Sequence, residues 1–306
     1  MIELQEVTKR FREHTAVDRF DLVVPEGSIF GFIGPNGSGK TTTLRMILRI
    51  IEPDSGSIQV FGQPHSISAN NSIGYLPEER GLYRKMTVLR QLSYFGRLKG
   101  MNGRAARAAA LEWLERLDLL AWKDKKLETL SKGMSQKIQF IATVLARPRL
   151  LILDEPFSGL DPVNLETIRQ SLLELQKGGT TLLFSTHDMH MAEQLCDHIC
   201  MIYKGNKVLD GSLNDIQNQY GQDSLRLRFR DGTDPEGRLE GVSNIRNLGR
   251  YLEMRFQGEP HQILKQAAGI GELDHFEITH PSLHDIFVRI AQPEPEDATT
   301  GGSEDA

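Results

Sequence analysis

Apolar and polar positions alternate through "MIELQEVTKRF" from the first residue onward, the period of a half-buried strand. "GSIFGFIG", "SIGYLPE", "RLLILDEP", "TTLLFSTHD" and "HICMIYKGNKVL" are further runs of strand length. They alternate with helical patterns as far as about residue 221, which predicts an α/β core with parallel strands over 1–221. Between 86 and 147 the pattern is mostly helical, as expected of a helical insertion between two core strands. In "RAARAAALEWLERLDLL", Leu111, Leu114, Leu117 and Leu120 recur at helical spacing and are expected to face the core as one stripe.

The texture changes near Gln222. "LRLRFR" alternates strictly, with Leu225, Leu227 and Phe229 on one face and Arg226, Arg228 and Arg230 on the other. "YLEMRFQG" alternates again, "HQILKQAAG" reads as a short helix and "HPSLHDIFVRIA" as a closing helix. A small α+β module is therefore expected over 222–291, close to the lower size limit for independent stability. Its arginine face is expected to be solvated, with Asp231, Asp234 and Glu236 nearby to offset the charge. The acidic stretch 292–306, rich in Gly and Pro, is expected to be disordered.

The 306 residues suffice for one large domain plus a small one. A net charge of −5 and a pI near 6.0 argue against nucleic acid as the main partner. No apolar run approaches the ~18 residues that span a bilayer, and the first residues lack a signal pattern, so a soluble cytosolic chain is expected. Cys196 and Cys200 have no second ligand pair elsewhere, and small buried residues are the better reading.

The candidate chemistry begins at "GPNGSGKTTTL". Gly34, Gly39, Lys40 and Thr41 satisfy G-x-x-x-x-G-K-[ST] in a strand–loop–helix context. Glycines at 34, 37 and 39 allow a tight turn that points successive N–H groups at phosphates, and the helix N-terminus adds favourable partial charge. Lys40 would hold the β- and γ-phosphates of a nucleoside triphosphate, and the Thr41 hydroxyl would ligate Mg²⁺. A second element, "RPRLLILDEPFSGLD", is a buried strand ending in Asp154 and Glu155. Asp154 would then sit beside the same Mg²⁺, and Glu155 would accept a hydrogen bond from the attacking water. A third, "LSKGMSQKIQFIATVLA", places Ser131 as the cap of a helix, with Gly133 allowing an anion close to free N–H groups.

In this order the chain resembles the ATP-binding subunit of ABC transporters over residues 1 to about 221, with a P-loop NTPase core. The resemblance implies that Phe11 stacks on adenine and that Val17 also contacts the nucleotide. Gly34, Pro35, Asn36, Gly37, Ser38, Gly39, Lys40, Thr41 and Thr42 match the phosphate loop. Leu130–Gln136 match the family's signature, in which Ser131, Gly133 and Met134 would meet the nucleotide. Asp161 closes the "SGLD" loop that crosses to a partner subunit, and His187 matches the histidine on the γ-phosphate. "GYLPEERGLY" stands where the family has its glutamine loop, with Glu78 in place of Gln as a ligand of Mg²⁺ or an orienter of water. The signature also departs from the family at Lys132 and Met134.

The resemblance further implies a homodimer or heterodimer of ATPase subunits and a separate polytopic membrane permease, on whose cytoplasmic side the chain would sit. Gly81, Leu82, Tyr83 and Met86 are expected at the permease contact. "HPSLHDIFVRIA" resembles the extension of sodium and drug efflux subunits, which favours export. The competing readings are a non-transport ABC ATPase acting on a cytosolic macromolecular complex and a small-molecule kinase; the latter leaves the signature unexplained.

Overall fold

The computed structural model describes residues 1–64, 71–78, 81–220 and 224–291. The expected disorder of 292–306 and the expected boundary at 221/222 fall outside those residues. The chain divides into two compact units, the first ending at Gly211 and the second beginning at Ser212.

The first unit opens with β1 (Ile2–Phe11) and β2 (His14–Val24), followed by β3 (Ile29–Ile33), α1 (Lys40–Ile47), β4 (Ser55–Val60) and β5 (Gln63–Pro64). An antiparallel sheet takes the order β2-β1-β4-β5. Along β1 the buried apolar residues are Ile2, Leu4 and then Val7, a slip of one in the alternation. The cause is a bulge: Glu6 has φ +48°, the register jumps between Leu4 and Val7, and the freed Glu6 N–H is donated to Asp21 Oδ1 at 2.7 Å.

Next come β6 (Ile73–Leu76), α2 (Val88–Leu98), α3 (Gly103–Arg116), α4 (Lys132–Val144), β7 (Leu150–Asp154), α5 (Pro162–Lys177), β8 (Thr181–Thr186), α6 (Met189–Leu195), β9 (His198–Tyr203) and β10 (Asn206–Ser212). The second sheet has the order β10-β9-β3-β8-β7-β6, with the pairs from β9 to β6 parallel. Every residue of β3, β7 and β8 is buried, which is why these strands read as apolar runs instead of alternating ones. One core joins the two sheets through α1: Leu4, Phe20 and Val24 pack with Phe32, Leu44, Ile47 and Ile152. Phe20 meets Phe32 edge to face at 5.7 Å.

Helices α2, α3 and α4 form the helical insertion. Trp113 packs edge-on against Phe140, and Gly96 lies so close to Ala106 that a methyl group there would displace it. The core-facing stripe differs from the expected one: Leu114 and Leu117 are buried, Leu111 is only half-buried and Leu120 is exposed. Steps of three residues turn 60° short of a full circle each time, so a long i+3 series leaves the face. Ala106, Ala110, Trp113, Leu114 and Leu117 make the actual stripe, and the helix ends at Arg116.

The second unit contains α7 (Leu213–Gln219), β11 (Ser224–Phe229), β12 (Val242–Asn247), β13 (Leu252–Phe256), α8 (Pro260–Ile270), β14 (Leu273–Thr279) and α9 (Leu283–Ala291). Its sheet is antiparallel in the order β12-β13-β11-β14. Leu225, Leu227 and Phe229 point into a small core with Met254, Phe256, Ile263 and Ala267. The arginines on the other face are neutralised by neighbouring strands, not by the acids of the following turn. Arg226 pairs with Glu253 at 2.7 Å, Arg228 with Asp274, and Arg230 with Glu272 at 2.8 Å. Asp231 and Asp234 instead accept the N–H groups of Thr233 and Glu236. Ser282 caps α9 reciprocally: its hydroxyl accepts Asp285 N–H at 3.1 Å and donates to Asp285 Oδ2 at 2.6 Å. Among the described residues, no helix is long and apolar enough to cross a membrane.

Candidate functional site

The site is built at the carboxyl ends of three adjacent parallel strands, β3, β8 and β7, where open α/β sheets place ligands. Gly34 follows β3, and its N–H is donated to Thr186 O at 3.2 Å. Gly34 and Gly39 have φ of +154° and +114°. A side chain at either would overlap a backbone carbonyl, that of Ile202 or of Ala16 respectively, so only glycine closes this loop. Lys40 is buried, and its Nζ donates to Gly34 O at 2.6 Å and Pro35 O at 3.1 Å. Burial lowers its pKa, and the nearby carboxylates of Glu155, Asp154 and Glu78 oppose that shift. Ser38 Oγ is buried within the loop and has no hydrogen-bond partner among the described residues.

Asp154 ends β7 fully buried. Its Oδ1 accepts the hydroxyl of Thr41 at 3.3 Å and that of Ser185. Glu155 follows with φ +50°, in the left-handed region that non-glycine residues rarely adopt. Its Oε1 lies 2.9 Å from His187 Nδ1 and 3.8 Å from Lys40 Nζ. Its Oε2 accepts the Thr186 hydroxyl at 3.4 Å.

A cleft of about 400 Å³ opens beside these groups, with Asp154 and His187 outside its lining. Phe11, Asn36, Gly37, Gly39, Lys40, Thr41 and Thr42 line it, and so do Glu78 and Glu155. His14 and Ala16 line it as well; these two carry no motif that the sequence reading could have used. Val17 is fully buried beneath the loop and does not line the cleft. Its side chain lies about 3.4 Å from where a Gly39 methyl would stand, so it supports the loop from below.

Ser131, Gly133, Met134 and Asp161 also lie outside this cleft and form a second group. Ser131 Oγ caps α4 by accepting Met134 N–H at 3.2 Å. Asp161 caps α5, with Pro162 in the first turn, and accepts the N–H groups of Val163 and Asn164. Gly133 lies against the Asn164 amide, and Gln136 Nε2 donates to Ser158 O at 2.9 Å, so the starts of α4 and α5 interlock.

Beyond Glu78, Tyr83, Met86, Arg90, Tyr94 and Arg97 line a groove of about 790 Å³. Tyr83 is exposed and stacks on Phe95 at 6.2 Å, while its N–H is held by the fully buried Gln91 at 2.8 Å. Cys196 and Cys200 are buried, and burial pushes both thiols well up in pKa, as suits small core residues.

A phosphate loop on a parallel sheet, with an Asp–Glu pair ending the next strand but one, defines a P-loop nucleotide triphosphatase. A family model described as "ABC transporter" matches residues 17–158, and one described as "ATP-binding protein DrrA1-3-like, C-terminal domain" matches residues 211–291. The chain is 43% identical to an uncharacterized ABC transporter ATP-binding protein of Bacillus subtilis, YhaQ, over 94% of this chain and 97% of that protein. It is 34% identical to the Nod factor export ATP-binding protein I of Burkholderia pseudomallei (strain 1710b), over 94% of this chain and 96% of the other. Among solved structures, an ATP-binding subunit of an ABC transporter matches at 28% identity with a TM-score of 0.67, covering 72% of this chain and 93% of that one. The dimeric ATP-binding cassette MJ0796 bound to ADP and Pi matches at 26% identity with a TM-score of 0.64, covering 70% of this chain and 99% of that one.

The chain belongs to the ABC transporter ATP-binding subunits. It is an ATP-binding ATPase of that family.

Proposed function

We propose that the chain powers export through a separate polytopic membrane permease, acting from the cytoplasmic side as one of two ATPase subunits that close on ATP. The observation that carries this reading is the separation of two half-sites. The phosphate loop, Glu155 and Glu78 line one cleft, while Ser131, Gly133, Met134 and Asp161 stand outside it. A second subunit, identical or closely related, would bring its signature onto the nucleotide held by the first. The solved relative described as a dimeric cassette with ADP and Pi supports the pairing, and relatives named for Nod factor export support the direction. The aromatic groove at Tyr83, Met86 and Tyr94 is the surface offered to the permease.

In this reading Phe11 stacks on the base, and Lys40 with the loop N–H groups holds the phosphates. The residues fit Mg²⁺: the Thr41 and Asp154 oxygens converge at 3.3 Å, and Glu78 lines the same cleft. Among the described residues no three acidic, His or Cys side chains form a cage, as expected of an ion that takes part of its shell from phosphate oxygens. Bound there, Mg²⁺ would neutralise charge developing on the phosphates. Glu155 orients water and takes up its proton, and His187, against Glu155 Oε1, addresses the γ-phosphate.

Glu155→Gln retains the shape of the side chain and loses its basicity, which lowers the rate of ATP cleavage on the order of 10²–10⁴-fold. Gel filtration with ATP and Mg²⁺ is expected to give a stable dimer for this variant and a monomer once Ser131→Arg is added. Wild-type cleavage by Glu155→Gln would sink the assignment of Glu155. A dimer indifferent to nucleotide would sink the ATP-closed pair.

A further inference from the structure

Strand β8 ends in Ser185 and Thr186, and His187 follows it, three consecutive polar residues after an apolar run. In a regular strand such neighbours point to alternate faces, yet all three here address the Asp154–Glu155 pair. Ser185 donates its hydroxyl to Asp154, and its carbonyl accepts Glu155 N–H at 3.1 Å. That second bond helps hold the backbone of Glu155 at φ +50°, a conformation that persists only where its surroundings impose it. His187 meets Glu155 Oε1 at 2.9 Å.

Thr186 is the remaining member, and its own bonds settle which way its proton points. Its Oγ1 accepts Asp188 N–H at 3.0 Å, at the cap of α6. A hydroxyl has a single proton, and the carboxylate oxygen Glu155 Oε2, at 3.4 Å, receives it. At 3.4 Å the contact is longer than an ordinary hydroxyl bond of about 2.5–3.0 Å, so the carboxylate has only to shift a few tenths of an ångström to close it. Its direction is fixed because a carboxylate only accepts. Thr186 is buried, so no bulk solvent competes for that proton.

We propose that Thr186 is a positioning residue for ATP cleavage, its hydroxyl holding the Glu155 carboxylate from the side opposite His187 and so aiming it into the cleft. This rests on Glu155 being the group that orients water.

Thr186→Val replaces the hydroxyl by a methyl of nearly equal size, and Thr186→Ser keeps the donor. In the full-length chain, Thr186→Val is expected to lower kcat about tenfold, the worth of one hydrogen bond to a charged group. KM for ATP stays within about twofold, since the phosphate and base contacts are untouched. Thr186→Ser restores kcat. Thr186→Ala, assayed in parallel, repeats the loss of kcat, and titration with a fluorescent ATP analogue shows that each variant folds and binds. In single-turnover assays, Thr186→Val adds no further loss to Glu155→Gln, because the two act as one unit.

An unimpaired Thr186→Val beside a slow Glu155→Gln overturns the role of Thr186 alone. So does a full additional loss in the double variant, or a failure of serine to rescue. A Glu155→Gln chain that cleaves ATP at the wild-type rate overturns the assignment of the base, and the role of Thr186 with it.

Discussion

Lys40 carries a charge where the protein least favours one. Burial depresses its pKa from the ordinary 10.5, and Glu155, Asp154 and Glu78 offset only part of that. Because the folded pKa is the lower one, stability rises with pH between it and 10.5, and below it the full penalty of burying the ammonium is present. Lys40→Met keeps the apolar stem and removes the charge, so it is expected to abolish ATP binding yet melt no lower than the wild type without nucleotide. Differential scanning fluorimetry with and without ATP tests both halves; a lower melting temperature without nucleotide would contradict the balance.

The same residues show how far the site could be read in advance. Gly34 to Thr42 and Asp154–Glu155 are legible because each is a contiguous motif whose chemistry depends on local backbone geometry. Ser185 and Thr186 are not legible. They reach Asp154 and Glu155 across a strand pair some 31 residues away in sequence, and a polar pair closing an apolar strand looks like ordinary capping. Ala16 and His14 lie in the cleft only because β2 passes beside the loop.

Elements were legible where burial is two-sided or strictly one-sided. β7 and β8 announce themselves, and so does β11. β12 does not: only Val242 and Ile245 are even half-buried, so "VSNIRN" carries no period. The acids that neutralise the arginine face escaped for a related reason, since Glu253, Glu272 and Asp274 are neighbours only through strand pairing.

That pairing has a pH signature. The Arg228 hydrogen bond and charge hold Asp274 below the ordinary 3.8. Burial alone would raise Asp285, but the Ser282 hydroxyl and Arg246 outweigh it and leave its pKa lowered. Both groups therefore contribute stability that is present above 3.8 and lost as pH falls through the lowered values. The melting temperature is expected to hold from pH 7 to about 5, as far as these groups govern it, and to drop below about pH 4. Arg228→Gln leaves Asp274 only its longer pair with Arg230 at 3.5 Å and makes the acid drop shallower. An identical acid profile in that variant would show that the pair contributes nothing measurable, as many exposed pairs do not.

On the scale of the whole molecule, each unit owns a core: Phe20, Phe32 and Leu44 belong to the first, and Leu225, Met254 and Ile263 to the second. The family models divide the chain in the same region, one beginning at residue 211. A chain ending at Ser212 keeps all of β10 and is expected to fold, bind ATP and show cooperative melting. Aggregation of that shortened chain, or loss of ATP binding, would mean that the first unit depends on the second.

The order β9-β3-β8-β7 puts the strands behind the phosphate loop, Thr186 and Asp154 in the interior of the six-stranded sheet, each with a partner on both edges. Their amide hydrogens leave that ladder only when the sheet itself opens, so 151–153 and 182–184 are expected to be among the slowest to take up deuterium. The residues proposed to meet a partner are mounted differently: Glu78 sits just past β6, which pairs on one edge only, and Ser131 sits at the exposed start of α4. An exchange time course with and without ATP should therefore change around Glu78 and Ser131 and leave the central strands silent. Asp154 and Glu155, the carboxylates proposed to react, are fixed to an interior strand, and whatever moves during a cycle has to swing around them.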